Sequence, residues 1–271
     1  MKKLDTSKKD NLRKGLWSSP SYYDVAKKGS LDMSHPGMKV LLKQAKKAKI
    51  ILDIGCGEGT RLSKVVGNSK AYGIDISRVA IKKAKDSYPK INFIRGDVEK
   101  LPYKDEMFDL VYSAFVLEHL DDPEKVLNEA IRVTKNKGVI VLVAPNYGAP
   151  SRISPPNNNS RLAKLIGGFA KDIFDIISNG DKLNWNEVDP IKDTKAYKID
   201  YDVVSEPYLG SLRRFLKHKG MSLAYMSSCW DQELENASIF QKLIKLIGTT
   251  GLYPFWMWGP HLVVVVRKEN A

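Results

Sequence analysis

The chain has 271 residues, 43% of them hydrophobic, and a formal net charge of +13. That length suits one α/β domain with insertions better than two full domains, and the longest apolar runs, such as 262–266, are far too short to span a bilayer. Two cysteines, Cys56 and Cys229, exclude both a disulfide framework and a zinc site.

The basic excess belongs to the N-terminus. Residues 1–49 hold thirteen Lys/Arg against four Asp/Glu, residues 50–145 fifteen against fourteen, and residues 146–271 sixteen against thirteen. Such a head either attracts nucleic acid, anionic lipid or a phosphorylated substrate, or is simply a solvated Lys-rich segment. Polar residues follow the first lysines, where a signal peptide needs an apolar stretch. A cytoplasmic protein is therefore expected.

From Ile50 to Pro145 short apolar runs alternate with helical periodicity, the pattern of βαβ units. Strands are predicted at 50–54, 71–75, 91–95, 108–113 and 139–144. Between them a helix runs from Ser77, a suitable N-cap, to Tyr88, and another from Asp122 to Thr134 with Pro123 in its first turn. Strands joined by crossover helices run parallel, so a doubly wound sheet is expected. After Pro145 come Pro150, Pro155, Pro156 and Asn157–Asn159, and then apolar residues at helical spacing over 161–177. A helix is predicted over 207–219, strands at 221–227 and 261–267, and a second apolar insertion at about 237–258. The chain thus reads as a basic helical head over 1–49 that caps the site, and a domain over 50–271 with insertions at about 148–206 and 237–258.

The chemistry concentrates after the first strand, in Asp53-Ile54-Gly55-Cys56-Gly57-Glu58-Gly59. Glycines at 55 and 57 let the backbone turn tightly and approach a ligand with no Cβ between them. The spacing is GxGxG rather than the GxGxxG of nicotinamide enzymes, with less provision for a pyrophosphate. Asp75 ends the second strand and Asp97 follows the third. All three acidic residues stand at carboxyl ends of strands, where α/β sheets bind ligands. Asp53 is expected to reach the charged amino-acid part of a ligand directly or through water, Asp75 a ribose, and Asp97 an adenine amino group. Singly, each would be an ordinary cap or turn former.

The segments ILDIGCGEG (51–59), GIDIS (73–77), FIRGDVEKLPY (93–103) and the run from 108 to 147 resemble the class I methyltransferases, the large group that includes ubiquinone-biosynthesis enzymes. The resemblance implies a Rossmann-like seven-stranded sheet, mostly parallel with an antiparallel last strand. It implies S-adenosylmethionine as methyl donor and S-adenosylhomocysteine as product. It also implies Tyr22, Cys56, Ile76, Val98, Ala114 and Phe115 as donor contacts beside Asp53, Gly55, Gly57, Asp75 and Asp97. His119, after the fourth strand, is either a general base for a neutral nucleophile or a packing residue that orients the donor loop. Some relatives bind a metal through carboxylates and His in this segment; Phe115 stands where one such carboxylate would be, so no metal is expected. The Pro-Pro signature of many nucleic-acid amino-methylating enzymes is replaced by Ser113-Ala114-Phe115-Val116.

A small-molecule acceptor is therefore expected, with a saccharide or lipid-linked saccharide suggested by the pattern at 200–209 and the Pro-rich stretch at 150–156. An RNA or protein acceptor guided by the basic head is the alternative. The segments 161–177 and 239–258 are expected to form a lid over the acceptor, with packing against the domain or a partner and peripheral membrane contact as competing roles.

Overall fold

The computed structural model describes residues 17, 20–157, 160–177, 181–191, 200–230 and 239–269. The first sixteen residues of the basic head, and the parts of the expected insertions at 158–159, 178–180, 192–199 and 237–238, lie outside them. The chain opens with α1 (Pro20–Leu31) and α2 (Pro36–Ala45) and continues β1 (Ile50–Ile54), α3 (Thr60–Val65), β2 (Lys70–Asp75), α4 (Arg78–Ser87), β3 (Asn92–Arg95) and β4 (Phe108–Ala114). A 3₁₀ turn at Leu117–His119 leads to α5 (Pro123–Val133) and β5 (Thr134–Pro145). Then come α6 (Arg161–Ile177), short strands β6 (Asn186–Glu187) and β7 (Ser205–Glu206), α7 (Leu209–His218), β8 (Met221–Ser227), α8 (Ile239–Thr249), a 3₁₀ turn at Phe255–Met257, and β9 (His261–Lys268).

Seven strands form one sheet in the order β3-β2-β1-β4-β5-β9-β8. The last strand of the chain is the antiparallel one, inserted between β5 and β8. Strand β1 lies inside the sheet, with Ile51 beside Ala71 on one side and Leu110 on the other. Both faces are covered, so consecutive apolar residues all find a core. Ile51 and Leu110 pack with Met38, Leu41 and Leu62 from α2 and α3. Leu52 and Val111 pack on the opposite face with Leu127 and Phe215 from α5 and α7. The helix caps form where the residue types call for them: the Ser77 side chain accepts from the Ala80 N–H at 3.2 Å, and Asp122 from that of Lys125 at 3.0 Å. The fifth strand begins five residues before its predicted start, with the left-handed Lys137 inside it.

The lid expected over 161–177 and 239–258 is not found: among the described residues, none of α6 or of the stretch from α8 through Trp258 lines the cavity described below, to which the first insertion contributes Arg152 and Asp200. Both segments flank the sheet on the α7 side, where buried Asp172 accepts from the Trp258 indole at 2.9 Å and from the Tyr208 hydroxyl. Both helices expose apolar residues beside those they bury, unlike an ordinary surface helix. On α6, Lys164 turns inward to Glu206 (3.1 Å), while Leu162 and Ile166 are 66% and 63% exposed. On α8, Ile244 is buried, while Ile239, Leu243 and Leu246 face outward. Periodicity gave the helices correctly; it could not say which face the protein keeps.

Candidate active site

The cavity lies at the carboxyl ends of β1, β2, β3 and β4 and encloses about 700 Å³, within the range of small-ligand pockets. Its floor is the loop after β1. Gly55 and Gly57 both have positive φ (76° and 54°), which glycine adopts at no steric cost. A Cβ at Gly55 would collide with Val116, whereas one at Gly57 would meet no protein atom and stand in the cavity. The loop is tied to β2 by Asp75. Its carboxylate accepts from the backbone N–H of Gly57 and of Ser77, each at 2.9 Å. Burial raises the pKa of Asp75 above the usual carboxylate value, against the pull of those two N–H groups.

Gly55, Cys56, Gly57, Asp75, Ile76, Asp97, Val98, Ala114, Phe115, Tyr22 and His119 all line this cavity. Asp53 does not. It is 3% exposed and accepts from the Tyr112 hydroxyl at 2.7 Å, behind the wall. Burial pushes its pKa up to about 7, with Tyr112 and Arg61 pulling it back. Glu58 occupies the place expected of Asp53. It faces the cavity with a buried Oε1 that has no hydrogen-bond partner. Phe115 holds a left-handed backbone at φ 60°, a costly conformation for an aromatic residue. It presents its ring to the Arg61 guanidinium, 5.3 Å away, and edge-on to His35.

The opposite wall comes from the head, the Leu117–His119 turn and the stretch around 200–205. Asp202, fully buried, gathers three partners on one carboxylate oxygen: Trp17 Nε1 (2.9 Å), the Tyr22 hydroxyl (3.0 Å) and His119 Nδ1 (3.4 Å). Burial works against the Asp202 anion, yet His119, Trp17 and Tyr22 hold its pKa below the ordinary value. Burial likewise works against a charged His119, but Asp202, Glu118 and Asp200 reverse it and raise its pKa. The head is fixed at a second point, where the Ser77 hydroxyl donates to the Trp17 carbonyl at 2.8 Å.

Beside His119 lies Glu118, 1% exposed, with neither carboxylate oxygen hydrogen-bonded. Burial pushes its pKa up to about 7; His119 opposes this and Asp200 adds to it. Glu118, His119 and Asp200 place ligand atoms within 4.8 Å of one another. This is a cation-holding set that the expectation about Phe115 did not consider. Two histidines close the far end, His35 and His261, with rings 4.8 Å apart. Burial, Arg152 and His35 lower the pKa of His261 to about 2, so it stays neutral.

Sequence reasoning missed Glu58, Arg61, Glu118, Asp200 and Asp202. Glu58 and Glu118 sat inside quoted motifs, and their acidity next to glycine and histidine was the available signal. Asp202 joins Trp17 across 185 residues, which no local pattern records.

The profile of a family described as a methyltransferase domain matches residues 52–142. Norajmaline N-methyltransferase of Rauvolfia serpentina is 30% identical over 201 residues, 69% of this chain and 66% of that protein. Ajmaline N-methyltransferase from the same plant is 32% identical over 144 residues, 49% of this chain and 50% of its own. The chain thus spans half to just under two thirds of the length of these curated relatives. The chain belongs to the class I S-adenosylmethionine-dependent methyltransferases. The fold agrees: the crystal structure of an S-adenosylmethionine-dependent methyltransferase from Mesorhizobium loti superposes with a TM-score of 0.54 at 17% identity, covering 86% of this chain and 96% of that one.

The donor of this family fits the residues present. The open cradle at Gly57, the strand-end carboxylates Asp75 and Asp97, and the unpartnered Glu58 oxygen offer room for a nucleoside and acceptors for hydroxyl and ammonium groups. Glu58 could take the amino-acid ammonium, Asp75 the ribose hydroxyls, and Asp97 with Val98 the adenine edge.

Proposed function

We propose that this chain transfers the methyl group of S-adenosylmethionine to a small-molecule acceptor. One observation carries the reading: the glycine cradle and the Glu118–His119 pair open into the same enclosed cavity. When bound, the donor supplies a sulfonium methyl that is already electrophilic, so the protein's main task is alignment. Asp75 and Gly57 hold the cradle in shape. Trp17 and Tyr22 of the head, latched by Asp202, close the cavity and exclude water. His119, oriented through Nδ1 by Asp202, offers its other ring nitrogen toward Glu118, 3.8 Å away, and the pair is placed to hold a proton taken from the acceptor.

A polyanionic acceptor suits the cavity poorly. Eight carboxylate residues and two arginines line it, in a chain whose net charge is +13. An RNA acceptor would have to bring phosphates to that rim, which disfavours the reading based on the basic head. Labelled donor incubated with fractionated cell extract tests the proposal. Label is expected in a small organic or lipid fraction, and label in RNA or protein alone would contradict it.

A specific observation favours a lipid-linked acceptor, including a lipid-linked saccharide. Helices α6 and α8 adjoin the loop that supplies Arg152 to the cavity rim. Lys164 of α6 donates to the Tyr147 carbonyl at 2.6 Å, and Gln241 of α8 to the Ser151 carbonyl at 3.2 Å. On α8, which carries no acidic residue, Lys242 is exposed and Lys245 half-buried. Apolar surface with flanking lysines matches an anionic bilayer surface. No helix among the described residues is long and apolar enough to cross a membrane, so the contact would be peripheral.

A further inference from the structure

We propose that Glu118, His119 and Asp200 form a subsite for a protonated amine, so that the acceptor atom is nitrogen. This rests on the donor reading above and names the acceptor class for the same cavity.

The first observation is a buried acid with no hydrogen bond. A buried carboxyl group whose oxygens accept no hydrogen bond costs the fold free energy, and Glu118, with His119 no closer than 3.8 Å, is such a group on the cavity wall. A ligand bearing N–H donors would satisfy it. The second is the company it keeps. Asp200 and Asp121 line the same region, and Asp200 sits at φ 66°, a backbone conformation that orients its carboxylate at some cost. The Arg152 guanidinium stacks over the Tyr147 ring at 4.5 Å and donates to the Pro260 carbonyl. The third is aromatic. Trp17 and Tyr22 reach the Asp202 oxygen that also faces His119, so two ring systems adjoin the acids. Acids and aromatic faces together recognise ammonium ions.

The spacing admits an ammonium: oxygens that each accept at about 2.8 Å from one tetrahedral N–H₃⁺ or N–H₂⁺ lie about 4.6 Å apart, and here the ligand atoms fall within 4.8 Å of one another. The relatives named as N-methyltransferases agree with the choice.

The reaction balances without a further reagent. The bound ammonium gives one proton to the Glu118 carboxylate, freeing the nitrogen lone pair. The nitrogen forms a bond to the methyl carbon as the C–S bond of the donor breaks, and that electron pair remains on sulfur. The positive charge passes from sulfonium to the methylated ammonium.

The test is ligand-observed NMR on the full chain with S-adenosylhomocysteine present, using matched probes: benzylamine with benzyl alcohol, and cyclohexylamine with cyclohexanol. Each amine is expected to bind at least tenfold more tightly than its alcohol. Glu118→Gln and Asp200→Asn should each remove that preference while S-adenosylhomocysteine affinity stays within twofold. No preference for amines, or a preference that survives both substitutions, overturns the subsite. Saturable magnesium or manganese binding that displaces the amines and is lost in both variants overturns it in favour of a metal site. Failure of the unaltered chain to bind S-adenosylhomocysteine would contradict the donor reading itself.

Discussion

The two walls of the cavity are built by different means. The wall at the ends of β1–β4 is made of short local motifs, in which a strand, a glycine turn and an acidic residue follow one another in sequence. The wall facing it is assembled from Trp17, Tyr22, His119 and Asp202, which meet only in three dimensions. The first wall relies on backbone shape and the second on buried charge. Substitutions should therefore break them differently, the first in ligand affinity and the second in stability and pH response.

The largest stability effect is expected at Asp202. Asp202→Ala strands His119 and removes the acceptor shared by Trp17 and Tyr22. Removing one partner of a buried ion pair typically costs about 3–5 kcal/mol. Urea unfolding followed by fluorescence should show that loss, together with a change in Trp17 emission that a Trp17→Phe control identifies. A loss below about 1 kcal/mol would mean that the head is not latched there.

The pH response comes next. Glu118 and His119 both have raised folded-state pKa values. Their contributions are complete below the unfolded values and are lost as pH rises through the folded ones. Asp202 runs the other way, contributing above its unfolded value and losing that contribution as pH falls. Stability should thus decline from about pH 4.5 toward pH 7 through Glu118, by up to about 3 kcal/mol for a shift from 4.5 to about 7. Glu118→Gln should flatten that portion of the curve. An unchanged slope between pH 4.5 and 7 would place the titrating group elsewhere.

Smaller effects are expected on the outer face. Leu243→Glu should alter stability by less than about 0.5 kcal/mol, since the residue is 54% exposed. It should nevertheless weaken co-sedimentation with vesicles rich in anionic lipid. Equal retention of both proteins would remove the membrane role of α8. The smallest expected effect is that of chelator: transfer activity with and without EDTA should agree, and restoration of activity by magnesium would reassign Glu118, His119 and Asp200.

The difference between the walls also explains what could be read from sequence. The seven strands and the caps at Ser77 and Asp122 were legible because a buried sheet writes itself as apolar runs with punctuation; the antiparallel sense of the last strand came from the family resemblance alone. Gly55, Gly57, Asp75 and Asp97 were legible for the same reason: strand ends mark the site. Asp53 was less legible because proximity to the glycine loop does not give side-chain direction: its carboxylate turns to Tyr112, behind the cavity wall. The α6 and α8 segments misled because a helical stripe has no sign. In α5 the apolar stripe faces the core, whereas in α6 the buried partners are Lys164 and Asp172. Asp202 lay in a quoted pattern that gave no hint of its partner; only the closed chain brings it to Trp17.

The central claim is that the loop at Gly55–Gly59 and Asp75 hold the methyl donor. Titration calorimetry of S-adenosylmethionine and S-adenosylhomocysteine tests it directly. One site is expected on the unaltered chain. Gly57→Val, which puts a branched side chain into the open cradle at a positive φ, should abolish binding, and Asp75→Ala should weaken it by about 2–4 kcal/mol through lost hydrogen bonds. Unchanged affinity in both variants would contradict the account.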